Sequence, residues 1–211
     1  IDPTAARERL GIGPGERILL VFGGSQAVRR FNEAVSGAIG RLVERVHVVH
    51  VAGDEGYRRA LADRDDLPPG LRPRYHPFPF LRDEMLPTLA AADLVVGRAG
   101  SSTLAEVAAL GRPIVVVPYP HAAGHQRANA EVMAAAGAAR LVEDEDFGAA
   151  ALLEAATILD DPAVHARMSA AARSLARPGA ADAVARLVLA AAARRPLPSG
   201  DEIDRIARSA A

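Results

Sequence analysis

Short runs of β-prone apolar residues alternate with stretches of helical periodicity along most of this chain, and that alternation leaves few folds open. A strand that is apolar along its whole length must be covered on both faces, and a helix between two such strands brings them parallel. Strands of this kind fall near 17-22 (Arg17-Ile-Leu-Leu-Val-Phe22), 46-51, 72-76, 93-96, 113-117 and 139-142. Helical patterns occupy about 28-44, 55-65, 84-91, 102-110, 126-136, 147-160, 162-176 and 181-194. In the first of these, Phe31, Val35, Ile39 and Leu42 recur at helical spacing and face the sheet, leaving Arg29, Arg30, Arg41 and Glu44 to water. The expected fold is therefore α/β: a Rossmann-like parallel sheet of about six strands with helices on both faces. No strand pattern remains after about residue 147, so helices close the domain. One domain over 1-194 is expected, followed by a tail, 195-211, in which Pro196 and Pro198 form a loose connection to a short helix near 201-209.

Composition removes several mechanisms. A chain of 211 residues buries roughly 70% of its unfolded surface and needs no disulfide or metal staple. All 25 residues counted as lysine or arginine are arginine. There is thus no lysine for a Schiff base and none to complete a phosphate-loop NTPase motif. The absence of cysteine removes thiol nucleophiles and cysteine-ligated metals. A net charge of -1 gives no global attraction to nucleic acid or anionic membrane, so any anion site has to be local.

The first residues, Ile1-Asp2-Pro3-Thr4 followed by Arg7-Glu8-Arg9, do not form a secretory signal and read as a linker. No apolar stretch approaches the ~20 residues that span a bilayer, so a soluble chain is expected. The start within a linker, without methionine, leads to the expectation that this is the back half of a longer protein.

In open α/β sheets, ligands lie beyond the carboxyl ends of the strands, where helix N-termini converge. Two glycine turns have that placement. The first is Gly23-Gly24-Ser25-Gln26, after the strand ending at Phe22. Glycines let a backbone approach a phosphate, the helix start carries about half a positive charge and unpaired amides, and Ser25 adds a hydroxyl donor. An ordinary turn with Ser25 as N-cap explains it equally well. The spacing is not GxGxxG, which disfavours a nicotinamide site. The second turn is Gly97-Arg98-Ala99-Gly100-Ser101-Ser102-Thr103, with Arg98 as a charge partner for a diphosphate. Glu106 has two readings there: the N3 member of a capping box begun by Thr103, or a carboxylate that accepts ribose hydroxyls.

A third segment, from Pro118 to Asn129, carries His121, His125 and Gln126. Pro118, Pro120 and Gly124 keep the two histidines off one helix face, so a zinc pair is disfavoured and hydrogen bonding to a polyol or phosphate is preferred. Gln126 either reads a sugar or caps the helix that starts beside it. Asp144-Glu145-Asp146 reads as a charged, solvated turn.

Together, GGSQ with Asn32 behind it, PFLRDEM, AAADLVVGRAGSSTLAEVAALGRPIVVVPYP and HQRANA resemble, in order and spacing, the C-terminal half of the MurG family. These are bacterial UDP-N-acetylglucosamine transferases of two-domain GT-B architecture that make the lipid-linked peptidoglycan precursor. The resemblance covers about residues 1 to 180 and implies a donor-binding half. It implies that Gly24, Ser25 and Gln26, with the amides near Gly100, Ser101 and Ser102 and the charge of Arg98, meet the diphosphate. Leu81 then offers backbone to uracil, Glu106 meets the ribose, and His125 and Gln126 lie on the sugar side. It further implies inverting transfer without metal or cofactor, and a general base and a lipid-linked acceptor site in the N-terminal half. Membrane association then comes only through that half, at the cytoplasmic face, with no nucleic-acid partner. The competing readings are another GT-B transferase using a different nucleotide sugar, and a donor-binding subunit that pairs with a separate acceptor-binding chain. A UDP-sugar 2-epimerase matches HQRANA less well.

Overall fold

The computed structural model describes residues 2–24, 29–122 and 124–209. In chain order the elements are α1 (Pro3–Leu10), β1 (Ile18–Phe22), α2 (Arg29–Leu42), β2 (His47–Val51), α3 (Gly53–Asp65), β3 (Tyr75–Phe78), α4 (Met85–Ala91), β4 (Leu94–Gly97), α5 (Ser101–Leu110), β5 (Ile114–Val116), α6 (His125–Ala135), β6 (Ala139–Leu141), α7 (Ala149–Ala156), α8 (Pro162–Ser174), α9 (Ala180–Ala192) and α10 (Gly200–Arg208). The six strands form one sheet in the order β3-β2-β1-β4-β5-β6, and every neighbouring pair is parallel.

Side chains alternate across each strand, so one strand feeds two cores. Leu19 and Val21 join Phe31, Val35 and Leu152 on the α2 and α7 side. Ile18, Leu20 and Phe22 join Leu89, Val107 and Met133 on the other. The stripe read from the sequence of α2 is buried: Phe31, Val35, Ile39 and Leu42 are all at most 5% exposed.

The structure departs from the sequence reading at the opening segment and at the start of β3. The opening segment is a helix and not a linker. Asp2 caps α1 by accepting from the Thr4 N–H at 2.8 Å, Pro3 stands in the first turn, and Gly11 ends the helix at φ 67°. Ala6 is its one buried residue. β3 starts three residues later than expected, because Arg72–Arg74 with Pro73 winds into a 3₁₀ turn. Pro77 is accommodated within β3 because this is an edge strand. The short helix expected near 201-209 is present as α10 and lies against α9, with the Gly179 N–H donating to the Ala207 carbonyl at 3.0 Å and Arg177 facing Asp204 at 3.5 Å.

The amino end of the sheet is tied by Asp93, which accepts from Arg7 at 3.1 Å, Arg17 at 3.4 Å and the Ile18 N–H at 2.8 Å. Beside it His47 meets His76 at 3.1 Å and Glu16 at 3.2 Å. No helix among the described residues is long and apolar enough to cross a membrane.

Candidate functional site

Strand order reverses between β1 and β4, and the crevice of a doubly wound sheet opens there. Phe22 and Gly97, the last residues of these two strands, are register partners. The two glycine turns therefore leave the sheet side by side. Gly97 is where the strands approach: a Cβ there would stand 3.3 Å from the Phe22 carbonyl oxygen. Gly24 has φ 72°, a left-handed conformation that glycine adopts without strain. Ser25 and Gln26, assigned from the sequence to the diphosphate, lie outside the described residues.

The second turn continues into α5 through Gly100, whose backbone is extended (φ -66°, ψ 137°) and whose carbonyl accepts from the Leu104 N–H at 3.0 Å. Gly100 is the N-cap and has no side chain to satisfy the first amides of the helix. The amides of Ser101 and Ser102 open to the crevice end with the positive pole of the helix behind them. This helix start overturns the capping-box reading of Glu106. Thr103 is already inside the first turn, because Gly100 and not Thr103 makes the transition from extended to helical backbone. Glu106 is exposed and has no hydrogen-bond partner among the described residues.

Leu81 lies in the loop between β3 and α4 and is buried, 7% exposed, in the core. Its backbone N–H and C=O make no hydrogen bond to the described residues. At the start of α6, His125 is exposed, and Gln126 Oε1 accepts from the Tyr119 N–H at 3.0 Å. Gln126 thus ties the loop after β5 to α6. Asn129 Nδ2 donates to the Ala99 carbonyl at 3.2 Å, linking the same helix to the second glycine turn.

Arg98 turns inward. It is 6% exposed, and its Nη1 reaches the carbonyls of Val117 and Pro118 at 3.2 and 3.3 Å and Asp144 Oδ1 at 2.5 Å. Its guanidinium lies over the rings of Phe31 at 4.9 Å and Tyr119 at 5.3 Å. Asp144 also meets Arg30 at 3.1 Å, so the acidic turn after β6 is a brace between α2 and the second glycine turn, and Arg30 is not left to water. Sequence reasoning missed that brace; the one available signal was a carboxylate placed after the last strand. A cavity of about 960 Å³ opens beside it, lined among others by Arg30, Asn32, Gly56, Arg98, Tyr119 and Asp144.

A parallel six-stranded sheet whose crevice lies at the β1/β4 reversal, with open helix starts on one side, is the architecture of one half of a GT-B glycosyltransferase. The chain belongs to glycosyltransferase family 28: the model of that family's C-terminal domain matches residues 18–187. It is 42% identical over 196 residues to the UDP-N-acetylglucosamine–N-acetylmuramyl-(pentapeptide) pyrophosphoryl-undecaprenol N-acetylglucosamine transferase of Corynebacterium efficiens, covering 90% of this chain and 51% of that protein. The identically named protein of Corynebacterium glutamicum strain R is 38% identical over 187 residues, 88% of this chain and 49% of its own length. The crystal structure of Acinetobacter baumannii MurG superimposes with a TM-score of 0.73 at 30% identity, over 90% of this chain and 53% of that one. The chain spans about half the length of the curated relatives it matches.

Proposed function

We propose that this chain is the donor-binding half of an inverting transferase that moves N-acetylglucosamine from UDP-N-acetylglucosamine to a lipid-linked muramoyl-peptide acceptor during peptidoglycan synthesis. The carrying observation is the pairing of Phe22 with Gly97, which sets two backbone turns together at the crevice of the sheet. The names of the 38–42% identical relatives support the particular sugar and acceptor.

In this reading the acceptor hydroxyl attacks the anomeric carbon, the bond from that carbon to the diphosphate breaks, and UDP leaves. Negative charge grows on the departing diphosphate. Amides already fixed at the start of α5 favour that charge more in the transition state than in the ground state, because they need no reorganisation. Gly24, Ser25 and Gln26 approach the diphosphate from β1, and Gly100, Ser101 and Ser102 from β4. Arg98 contributes by holding the second turn against Asp144. The Leu81 backbone takes the uracil, Glu106 the ribose hydroxyls, and His125 and the remaining amide of Gln126 the sugar. The proton of the acceptor hydroxyl passes to a general base in the other half, and no residue of this chain takes that role. The acceptor site, and contact with the cytoplasmic face of the membrane, are assigned to the other half of the GT-B architecture.

Calorimetry on wild type and Gln126→Ala with both UDP and UDP-N-acetylglucosamine tests this. Wild type is expected to bind both, and the variant to lose roughly 1–2 kcal/mol for the sugar nucleotide, one or two neutral hydrogen bonds, while keeping UDP. Equal losses for both ligands would reduce Gln126 to its loop contact with Tyr119. Sugar transfer by this chain alone would overturn the division of roles.

A further inference from the structure

Three polar side chains from three elements, two buried and one half-buried, form a relay that the reading above does not use. Tyr75 begins β3, His50 lies in β2, and Asn32 lies in the first turn of α2. Tyr75 Oη is 2.8 Å from His50 Nδ1, and His50 Nε2 is 2.9 Å from Asn32 Oδ1. Asn32 Nδ2 donates to the Ala52 carbonyl at 2.9 Å. Tyr75 and His50 are 2% and 1% exposed, and their rings lie nearly parallel at 6.1 Å.

The direction of every bond follows by elimination. A carbonyl oxygen only accepts, so Ala52 fixes the nitrogen of the Asn32 amide on its side and turns the Asn32 oxygen toward His50. That oxygen also only accepts, so His50 carries its proton on Nε2. His50 Nδ1 is then bare and accepts from the Tyr75 hydroxyl. Burial pushes His50 down to about 4 and raises the Tyr75 phenol, so both remain neutral and the polarity persists across the working pH range.

Of the three, Asn32 alone lines the 960 Å³ cavity, together with Arg30 and Arg98. Gly56 lies against its amide so closely that a Cβ would collide with Asn32 Nδ2, so the amide has its place only because residue 56 carries no side chain. One Asn32 amide hydrogen goes to Ala52, and the second has no acceptor among the described residues.

We infer that Asn32 presents its second N–H to a phosphate oxygen of the bound nucleoside diphosphate, and that His50 and Tyr75 are positioning residues that keep this donor, and not the amide oxygen, turned to the cavity. The inference rests on the UDP-sugar reading and adds a contact to that site. A carbonyl facing a phosphate would repel it, so the orientation of one amide decides the sign of the contact. Removing the Tyr75 hydroxyl takes the hydrogen bond from His50 Nδ1 and loosens the ring that holds the Asn32 oxygen, leaving the Ala52 carbonyl as the remaining constraint on the amide.

The test compares wild type, Tyr75→Phe and Asn32→Asp by calorimetry with UDP and with uridine, alongside thermal melting. Long-range ¹⁵N–¹H spectra of the histidine rings report the tautomer. The His50 ring in wild type is expected as the neutral Nε2–H form at pH 6. Tyr75→Phe should weaken UDP by about threefold to tenfold, the scale of one hydrogen bond. Asn32→Asp, which places a carboxylate toward the phosphate, should weaken it further, and uridine affinity should hold in both. UDP binding by wild type that neither variant changes, or equal losses for UDP and uridine, would overturn the inference while leaving the donor reading intact. An Nδ1–H tautomer of His50 in wild type would overturn the relay itself. Failure of wild type to bind UDP would overturn the donor reading and the phosphate contact together.

Discussion

The two ends of the sheet are built to opposite specifications. At the amino end nearly every polar group is spent. Asp93 gathers two arginines and a backbone amide, and His47 links His76 to Glu16. At the carboxyl end the helix starts at Gly100 and Gly124 carry no side-chain cap, and Leu81 and Glu106 keep hydrogen-bonding capacity unused among the described residues. A polar group satisfied inside the protein stabilises the fold, whereas one left open toward water is available to a ligand. Substitutions at the amino end should therefore read out in stability and those at the carboxyl end in binding.

Acid offers the largest test. His50 and His76 are both held down to about 4, His50 mainly by burial and His76 by burial together with His47 and Arg64. In the unfolded chain a histidine titrates near 6.5. Between pH 6.5 and 4 the unfolded state binds more protons, so stability present above pH 6.5 is lost as pH falls toward 4. The expected loss is about 2–3 kcal/mol for each histidine, measured from denaturant midpoints at pH 7 and pH 4.5. His76→Gln should remove about half of it. An unchanged pH dependence in that variant would place the acid sensitivity elsewhere.

Asp93→Ala comes next. It strands the Ile18 amide and two guanidinium groups at a half-buried position and should cost about 2–4 kcal/mol of stability, read by chemical denaturation. At a temperature where the variant is folded, its UDP affinity should equal that of wild type. A loss of affinity there would show that the two ends are coupled.

The smallest change in the fold belongs to Glu106→Gln. The carboxylate is exposed and caps nothing, so the melting temperature should not move. UDP affinity should fall about tenfold to a hundredfold, the scale of a charged hydrogen bond. A lower melting temperature with unchanged affinity would return Glu106 to a structural role.

Periodicity made the strands of the inner sheet and the helices against them legible, because burial on both faces leaves a continuous apolar run and a helix against a sheet leaves a stripe. It failed for α1, where a single buried alanine produces no stripe; the Asp2-Pro3 start and Gly11 stop were the available cues. The site was legible in its glycine turns and not in its braces. Nothing in the sequence pairs Arg98 with Asp144, 46 positions away, or His50 with Asn32 and Tyr75, because these contacts exist only once α2, β2, β3 and the turn after β6 have converged. Thr103 and Glu106 matched a capping pattern by spacing alone, and the backbone at Gly100 decided otherwise.

The register between Phe22 and Gly97 acts as a ruler. The separation of the two glycine turns is one step of the hydrogen-bonded ladder, about 4.8 Å, a distance set by peptide chemistry. Evolution cannot recalibrate it by exchanging side chains. Loops after β3, β5 and β6 can lengthen, shorten or change their polar groups without altering that gauge. Under the donor-binding reading, a lineage can therefore revise which sugar it handles while the seat for the leaving group stays constant.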